Sequence, residues 1–233
     1  MEIGFDIISD LYLSPEESFN WEGKATSLYC IVAGNVSSDL RTVFQTLAHL
    51  SKFYQGVFYT IGTLEYDGVT DFTIRTNEIL ALLKRIPNVA VLYHHVVIID
   101  GVAILGANGW SANSKFQEID LIDKIKRLRL EDIAYLNRSV EKLQKHLDVK
   151  KIVMVTNGVP KKELYFGEQS DEFDNQQLHL DFCIGSDTEF KISHWAYGTY
   201  DKVVDTNIND VNYINNSYFK RKPYWAKRIN VTI

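Results

Sequence analysis

The chain has 233 residues, enough for one domain with a substantial core, and its 45% hydrophobic and 24% charged residues are ordinary for a globular protein. A net charge of -5 gives no electrostatic footprint for nucleic acid or an anionic membrane surface. No apolar run approaches the 18 residues that a membrane-spanning helix needs, so no membrane partner is expected.

The first strand is expected at Ile3–Ser9, ending at Asp10. Leu28–Ala33 is a second, stopped by Gly34–Asn35, and Val57–Ile61 a third, stopped by Gly62–Thr63. Each is a short, largely apolar run closed by glycine or a small polar residue, as buried parallel strands read, with functional loops at their carboxyl ends. Asp39–Tyr54 and Thr73–Arg85 are the intervening helices. Short strands follow at Val89–Tyr93, Val96–Ile99 and Val102–Leu105, the last two joined by Asp100–Gly101, a tight-hairpin signal. Between Ile119 and Leu147, apolar residues at three- and four-residue spacing predict the longest helix. Lys150–Thr156 returns to strand and Asn157–Gly158 ends it. Glu163–Asn175 reads as an irregular polar loop, and Phe182 and Ile184 as a short element before Phe190–Trp195. Strands are expected near Val211–Ile214 and Ala226–Ile233. No repeat or linker divides the chain, so one domain is expected over residues 1–233.

Cys30 and Cys183 lie in apolar runs and read as buried thiols, which suits a reducing, cytoplasmic compartment. The acidic start M-E-I-G-F-D is not that of a secretory leader. Of the histidines, His49 and His146 sit on helical segments and are expected to face solvent or cap a helix. His94–His95 read as surface polar residues, and so does His179. His194, just before Trp195, is the one considered for a site. Trp110 and Trp195 are expected in the core, and Tyr12, Tyr197 and Tyr200 as fillers around the strand ends. Lys220–Lys222 reads as a solvated turn, Asp67 and Asp71 as loop carboxylates.

Taken in order, the strand ends spell I-S-D-L-Y-L, I-V-A-G-N, I-G-T-L-E, G-A-N-G-W, V-T-N-G-V-P and W-A-Y-G-T-Y-D. Their order and spacing resemble the calcineurin-like metallophosphoesterases over nearly the whole chain. That family writes D-x-H, G-D, G-N-H-E or G-N-H-D, a G-x-x-x-W turn, T-H-H-x-P and W-x-x-G-H-T-H at these places. The resemblance implies an α/β fold, a four-layer α/β/β/α sandwich of two mixed sheets. It also implies a cleft formed by Asp10, Tyr12, Asn35, Thr63, Leu64, Asn157, Thr199 and Asp201.

In the family two divalent metals about 3.5–4 Å apart clamp a phosphate and activate water. Here only Asp10 keeps a ligand's residue type. Tyr12 stands where a histidine belongs, and Asn35 replaces the bridging carboxylate. Thr63, Asn157 and Thr199 offer neutral oxygens, and Leu64 cannot serve as a proton donor. Asp10, Asn35, Asn157 and Asp201 could at most hold one Mn²⁺ or Mg²⁺ weakly. The expectation is therefore a catalytically inactive phosphoesterase-like protein with no cofactor, which binds a protein partner or assembles with itself, in the cytoplasm or, if phage-encoded, in a virion. The alternatives are a phosphoesterase with a reduced metal site, and a non-hydrolytic phosphate or nucleotide binder that uses the Gly34, Gly62 and Gly158 loops.

Overall fold

A computed structural model describes residues 1–110, 119–164, 190–199, 201–218 and 223–233. Apolar runs punctuated by glycine or small polar residues form β1 (Glu2–Ile8), β2 (Tyr29–Ala33) and β3 (Gly56–Thr60). Between and after them lie α1 (Leu40–Leu50) and α2 (Phe72–Leu83), each started by an aspartate cap. Asp39 accepts from the Thr42 amide, and Asp71 from the Thr73 and Ile74 amides. Asp71, expected as a plain loop carboxylate, is therefore the start signal of α2.

Next come β4 (Val89–Val91), β5 (His95–Ile99), β6 (Val102–Ala107), α3 (Ile119–Lys145) and β7 (Lys151–Thr156). Asp100 and Gly101 both have positive φ, 45° and 86°, which closes the β5–β6 hairpin in a type I′ turn as the sequence predicts. β8 (Ile192–Tyr197), β9 (Val204–Ile208), β10 (Val211–Asn215) and β11 (Lys227–Thr232) complete the strands. β9 is the element that sequence reading missed. Its V-D-T-N-I has one fully buried residue, so it carries no apolar run.

The strands form two mixed sheets, in the order β11-β1-β2-β3-β4 and β5-β6-β7-β8-β10-β9. β1, β2, β3 and β4 run parallel, with β11 antiparallel to β1. β6, β7, β8 and β10 are parallel, and β5 and β9 close the edges antiparallel. Three apolar layers hold the sandwich together. Phe5, Ile7 and Ile31 meet Ile104, Val153 and Val155 between the sheets. Val43, Leu47 and Ile79 seal α1 and α2 onto the first sheet. Leu136, Val140 and Leu143 seal α3 onto the second. Each such side chain, fully buried, contributes about 1.5–3 kcal/mol. The architecture is thus the α/β/β/α sandwich of two mixed sheets expected from the strand-end signatures. Among the described residues no helix is long and apolar enough to cross a membrane.

Phe182, Ile184, His179, Cys183, Tyr200, Lys220–Lys222 and most of 163–175 lie outside the described residues. Trp110, Trp195 and Tyr197 are buried as read, and Cys30 is a buried free thiol.

Candidate functional site

The carboxyl ends of β1, β2, β3, β7 and β8 meet at one end of the sandwich. The backbone stitches them together before any side chain does. Asp10 N–H donates to the Gly34 carbonyl at 3.1 Å, and Tyr12 N–H to the Asn35 carbonyl at 3.0 Å. Within the second sheet, Gly198 N–H donates to the Asn157 carbonyl at 3.1 Å. The packing leaves no room for a Cβ at Gly198, which would stand 2.3 Å from the Ala33 carbonyl oxygen. Gly34 has φ +75°, and a Cβ there would stand 2.8 Å from the Gly62 Cα. Asp10, Tyr12, Asn35 and Thr199 also have positive φ, between 48° and 57°. An L-residue in that region costs about 1–2 kcal/mol, so four such residues at one end mark loops held by their surroundings.

Asn35 is the hub of the side-chain cluster. Its Nδ2 donates to Asp10 Oδ1 at 2.8 Å, with the Tyr12 hydroxyl at 3.2 Å and Thr199 Oγ1 at 3.3 Å. Its Oδ1 accepts from the Leu64 amide at 3.0 Å. Asn157 Oδ1 accepts from the Thr63 amide at 3.0 Å and the Thr199 hydroxyl at 2.8 Å, while its Nδ2 donates to the Ala33 carbonyl. Thr199 N–H donates to Asp10 Oδ1 at 2.8 Å. The two amides cannot be turned over. Leu64 N–H and Thr63 N–H can only donate, so each must face an amide oxygen, which fixes Asn35 Nδ2 towards Asp10.

Asp10 is fully buried, and its Oδ2 meets no hydrogen-bond donor among the described residues. Burial pushes its carboxyl up to about 7, against the lowering contributed by Asn35, the Thr199 amide and Ser9. Burial likewise raises the Tyr12 phenol, reinforced by the charges of Asp10 and Glu65. Tyr12 is 41% exposed, so it does not fill the space beneath; its hydroxyl reaches the Asn35 amide. Asp201 is exposed, and it acts on the cluster through its charge, which helps raise the Tyr12 phenol. Leu64 joins through its backbone amide and opens a short 3₁₀ turn, Leu64–Tyr66.

Sequence reasoning missed Glu65. It is fully buried, its Oε1 accepts from the Val36 amide at 2.7 Å and the Tyr59 hydroxyl at 2.8 Å, and its Oε2 meets no donor among the described residues. Burial raises its carboxyl too. The only sequence signal was its place in I-G-T-L-E, beside a position that holds no ligand.

These residues do not fit a pair of divalent metals. The amide oxygens of Asn35 and Asn157 already accept from backbone and hydroxyl donors, and Asn35 points N–H groups at the one buried carboxylate of the ligand positions. A cation there would meet hydrogens where it needs lone pairs. Among the described residues no group of three or more His, Cys, Asp or Glu could hold a metal.

The histidines lie elsewhere. His194 sits within β8, where burial pushes it down to about 4; its ring nitrogens meet Ser193 Oγ at 2.9 Å and Asn212 at 3.5 Å, not the cluster. His94 is not a plain surface residue. It bonds buried Asp132 at 2.7 Å and stacks between Tyr93 and Tyr135, while Asp132 also accepts from the Gly109 amide. His49 is half-buried on α1; its ring accepts the Trp21 amide N–H at 3.0 Å against Phe19 and Phe53. His95 and His146 are exposed.

No protein-family model and no curated protein sequence matches the chain. Solved structures do. Phosphopantetheinyl hydrolase (PptH) of Mycobacterium tuberculosis superposes with a TM-score of 0.61 at 16% identity, covering 98% of this chain and 96% of that one. A putative 5'-nucleotidase of Staphylococcus aureus gives 0.57 at 11% identity, over 100% of this chain and 51% of the nucleotidase. GAP50, the anchor in the inner membrane complex of Plasmodium, gives 0.51 at 11% identity, over 93% of this chain and 71% of GAP50. The chain therefore has the metallophosphoesterase-type fold.

Proposed function

We propose that this chain is a non-catalytic descendant of the phosphoesterase fold, acting as a protein-binding or assembly component. The observation that carries the reading is the Asn35 amide, whose N–H donors point at Asp10 where a bridging carboxylate would present lone pairs. Apart from Asp10 Oδ2 and Glu65 Oε2, the cluster bonds its polar groups to one another, which keeps its loops in shape without a cation. GAP50, with the same fold, is described as an anchor, which supports an anchoring or assembly use of this architecture. A cytoplasmic setting accompanies the reading, supported by the buried free thiol of Cys30.

A second reading rests on Asp10 Oδ2 and Glu65 Oε2, two buried oxygens that meet no donor among the described residues. Under it, one hard cation such as Mg²⁺ or Mn²⁺ binds weakly and supports a reduced phosphoesterase. Metal analysis after Mn²⁺, Mg²⁺ and Zn²⁺ loading, run beside a generic phosphodiester assay, separates the two. The first reading expects no stoichiometric metal and no turnover. One bound equivalent with turnover that disappears in Asp10→Ala gives the site to the second, and two tight equivalents with turnover overturn both.

A further inference from the structure

Four strands stand at the edges of the two sheets, and their sequences treat the exposed backbone differently. β4 is only three residues long. β9 carries Asp205 and Asn207 outward, and β11 carries Arg228 and Asn230; Lys227 of β11 forms an ion pair with Asp205 of β9. Short length and charge are the usual means by which an edge avoids recruiting another strand. β5 has neither. It is H-V-V-I-I, five residues without an acid, lysine or arginine, and Ile98 is 48% exposed. Among the described residues it pairs on one side alone, with β6.

The hairpin fixes which backbone groups are free. Ile99 and Val102 flank the two-residue I′ turn and pair directly, so Ile99, Val97 and His95 direct their N–H and C=O groups towards β6. Val96 and Ile98 direct theirs outward. Two copies of β5 set antiparallel and centred on Val97 would place Val96 opposite Ile98 on both sides of the axis. Each such pair then exchanges both N–H···O=C bonds, and no outward group is left over within the strand. The same register brings the His95 end of one copy beside the Asp100 end of the other, while His94 stays bonded to Asp132 of its own chain. An imidazole and a carboxylate then lie near each other at both ends, a complementarity that a parallel pairing lacks. His95 and Asp100 are both exposed.

We infer that β5 is a self-association edge: two copies of this chain pair β5 to β5 antiparallel about Val97, joining their six-stranded sheets into one continuous sheet across a two-fold axis. This interface is remote in sequence from the strand-end cluster and stands whether or not that cluster holds a metal.

Sedimentation equilibrium of the full chain tests it, combined with amide exchange at low and high protein concentration. The expected result is a monomer–dimer equilibrium in which the Val96 and Ile98 amides gain protection as the dimer forms. Ile98→Lys, on the exposed side of the strand, should raise the dissociation constant at least about tenfold while the thermal midpoint of the monomer holds. Should Ile98→Lys misfold, concentration-dependent protection of those two amides in the unaltered chain decides alone. A chain that stays monomeric at the highest concentration overturns the inference. So does a dimer whose Val96 and Ile98 amides exchange freely, or an edge that becomes protected only when a different polypeptide is added.

Discussion

Replacing Asp10 with asparagine tests the description of the cluster directly. Asp10 is fully buried and holds its proton up to about pH 7, against 3.8 for an ordinary aspartate. The folded chain therefore prefers the neutral acid. In the unfolded chain the group ionises as pH rises through 3.8, while in the folded chain it stays neutral until about 7. Stability from this group is greatest at low pH and is lost across that window. Three pKa units correspond to about 4 kcal/mol in all, of which roughly 2–3 kcal/mol falls between about pH 5 and 8. Asn at position 10 can still accept from Asn35 and the Thr199 amide, but it never ionises. The comparison is urea unfolding of both proteins at a series of pH values, with metal chelated. Asp10→Asn should gain on the parent by about 2–3 kcal/mol between about pH 5 and 8, whatever its offset at either end. Taking the difference removes most of the contribution of Glu65, whose raised carboxyl tilts both proteins in the same direction; its coupling to Asp10 is a smaller part. A gap that does not change with pH, or that moves in the parent's favour, would refute the account of a buried, cation-free carboxyl.

Two further substitutions probe the same end of the sandwich. Asn35→Asp replaces an N–H donor with a second carboxylate beside Asp10 Oδ1, now 2.8 Å from the amide nitrogen. It should cost about 3 kcal/mol at neutral pH in chelator, read from the unfolding midpoint, and part of that loss should return with added Mn²⁺. An unchanged midpoint would sink the hub role given to Asn35. Gly198→Ala would set a methyl 2.3 Å from the Ala33 carbonyl oxygen, against backbone that cannot turn away. A loss of about 2 kcal/mol or more is expected, lowering the thermal midpoint by about 4 °C or more; a neutral result would mean that the two sheets meet less tightly there than described.

Most of the fold was legible in the sequence because its strands are of the kind that sequence displays best. β1, β2, β3, β6 and β7 are nearly continuous apolar runs ended by small polar residues. β9 escaped because its V-D-T-N-I, although it alternates, holds two apolar residues and so shows no apolar run. The members of the cluster could be read from the order of the strand-end signatures, but its wiring could not. Nothing local says that Asn35 will face Asp10 with nitrogen; that follows from the Leu64 amide, 29 residues on. Glu65, Asp132 and His94 were passed over for the same reason, since their partners are brought together by sheet packing. Asp201 shows the opposite failing: its signature position was legible, yet its side chain turns to solvent.

The bonds of the cluster join residues far apart along the chain. Asp10 and Thr199 are separated by 189 positions, Asn35 and Thr199 by 164, and Thr63 and Asn157 by 94. Asp10, Asn35 and Thr63 belong to one sheet, Asn157 and Thr199 to the other. None of these bonds can form until both sheets exist and have docked, so each closes a loop that folding must already have closed by other means. The cluster is a clasp fastened after the two halves are together. It acts on how slowly the finished molecule opens and contributes little to how fast the chain first finds its shape.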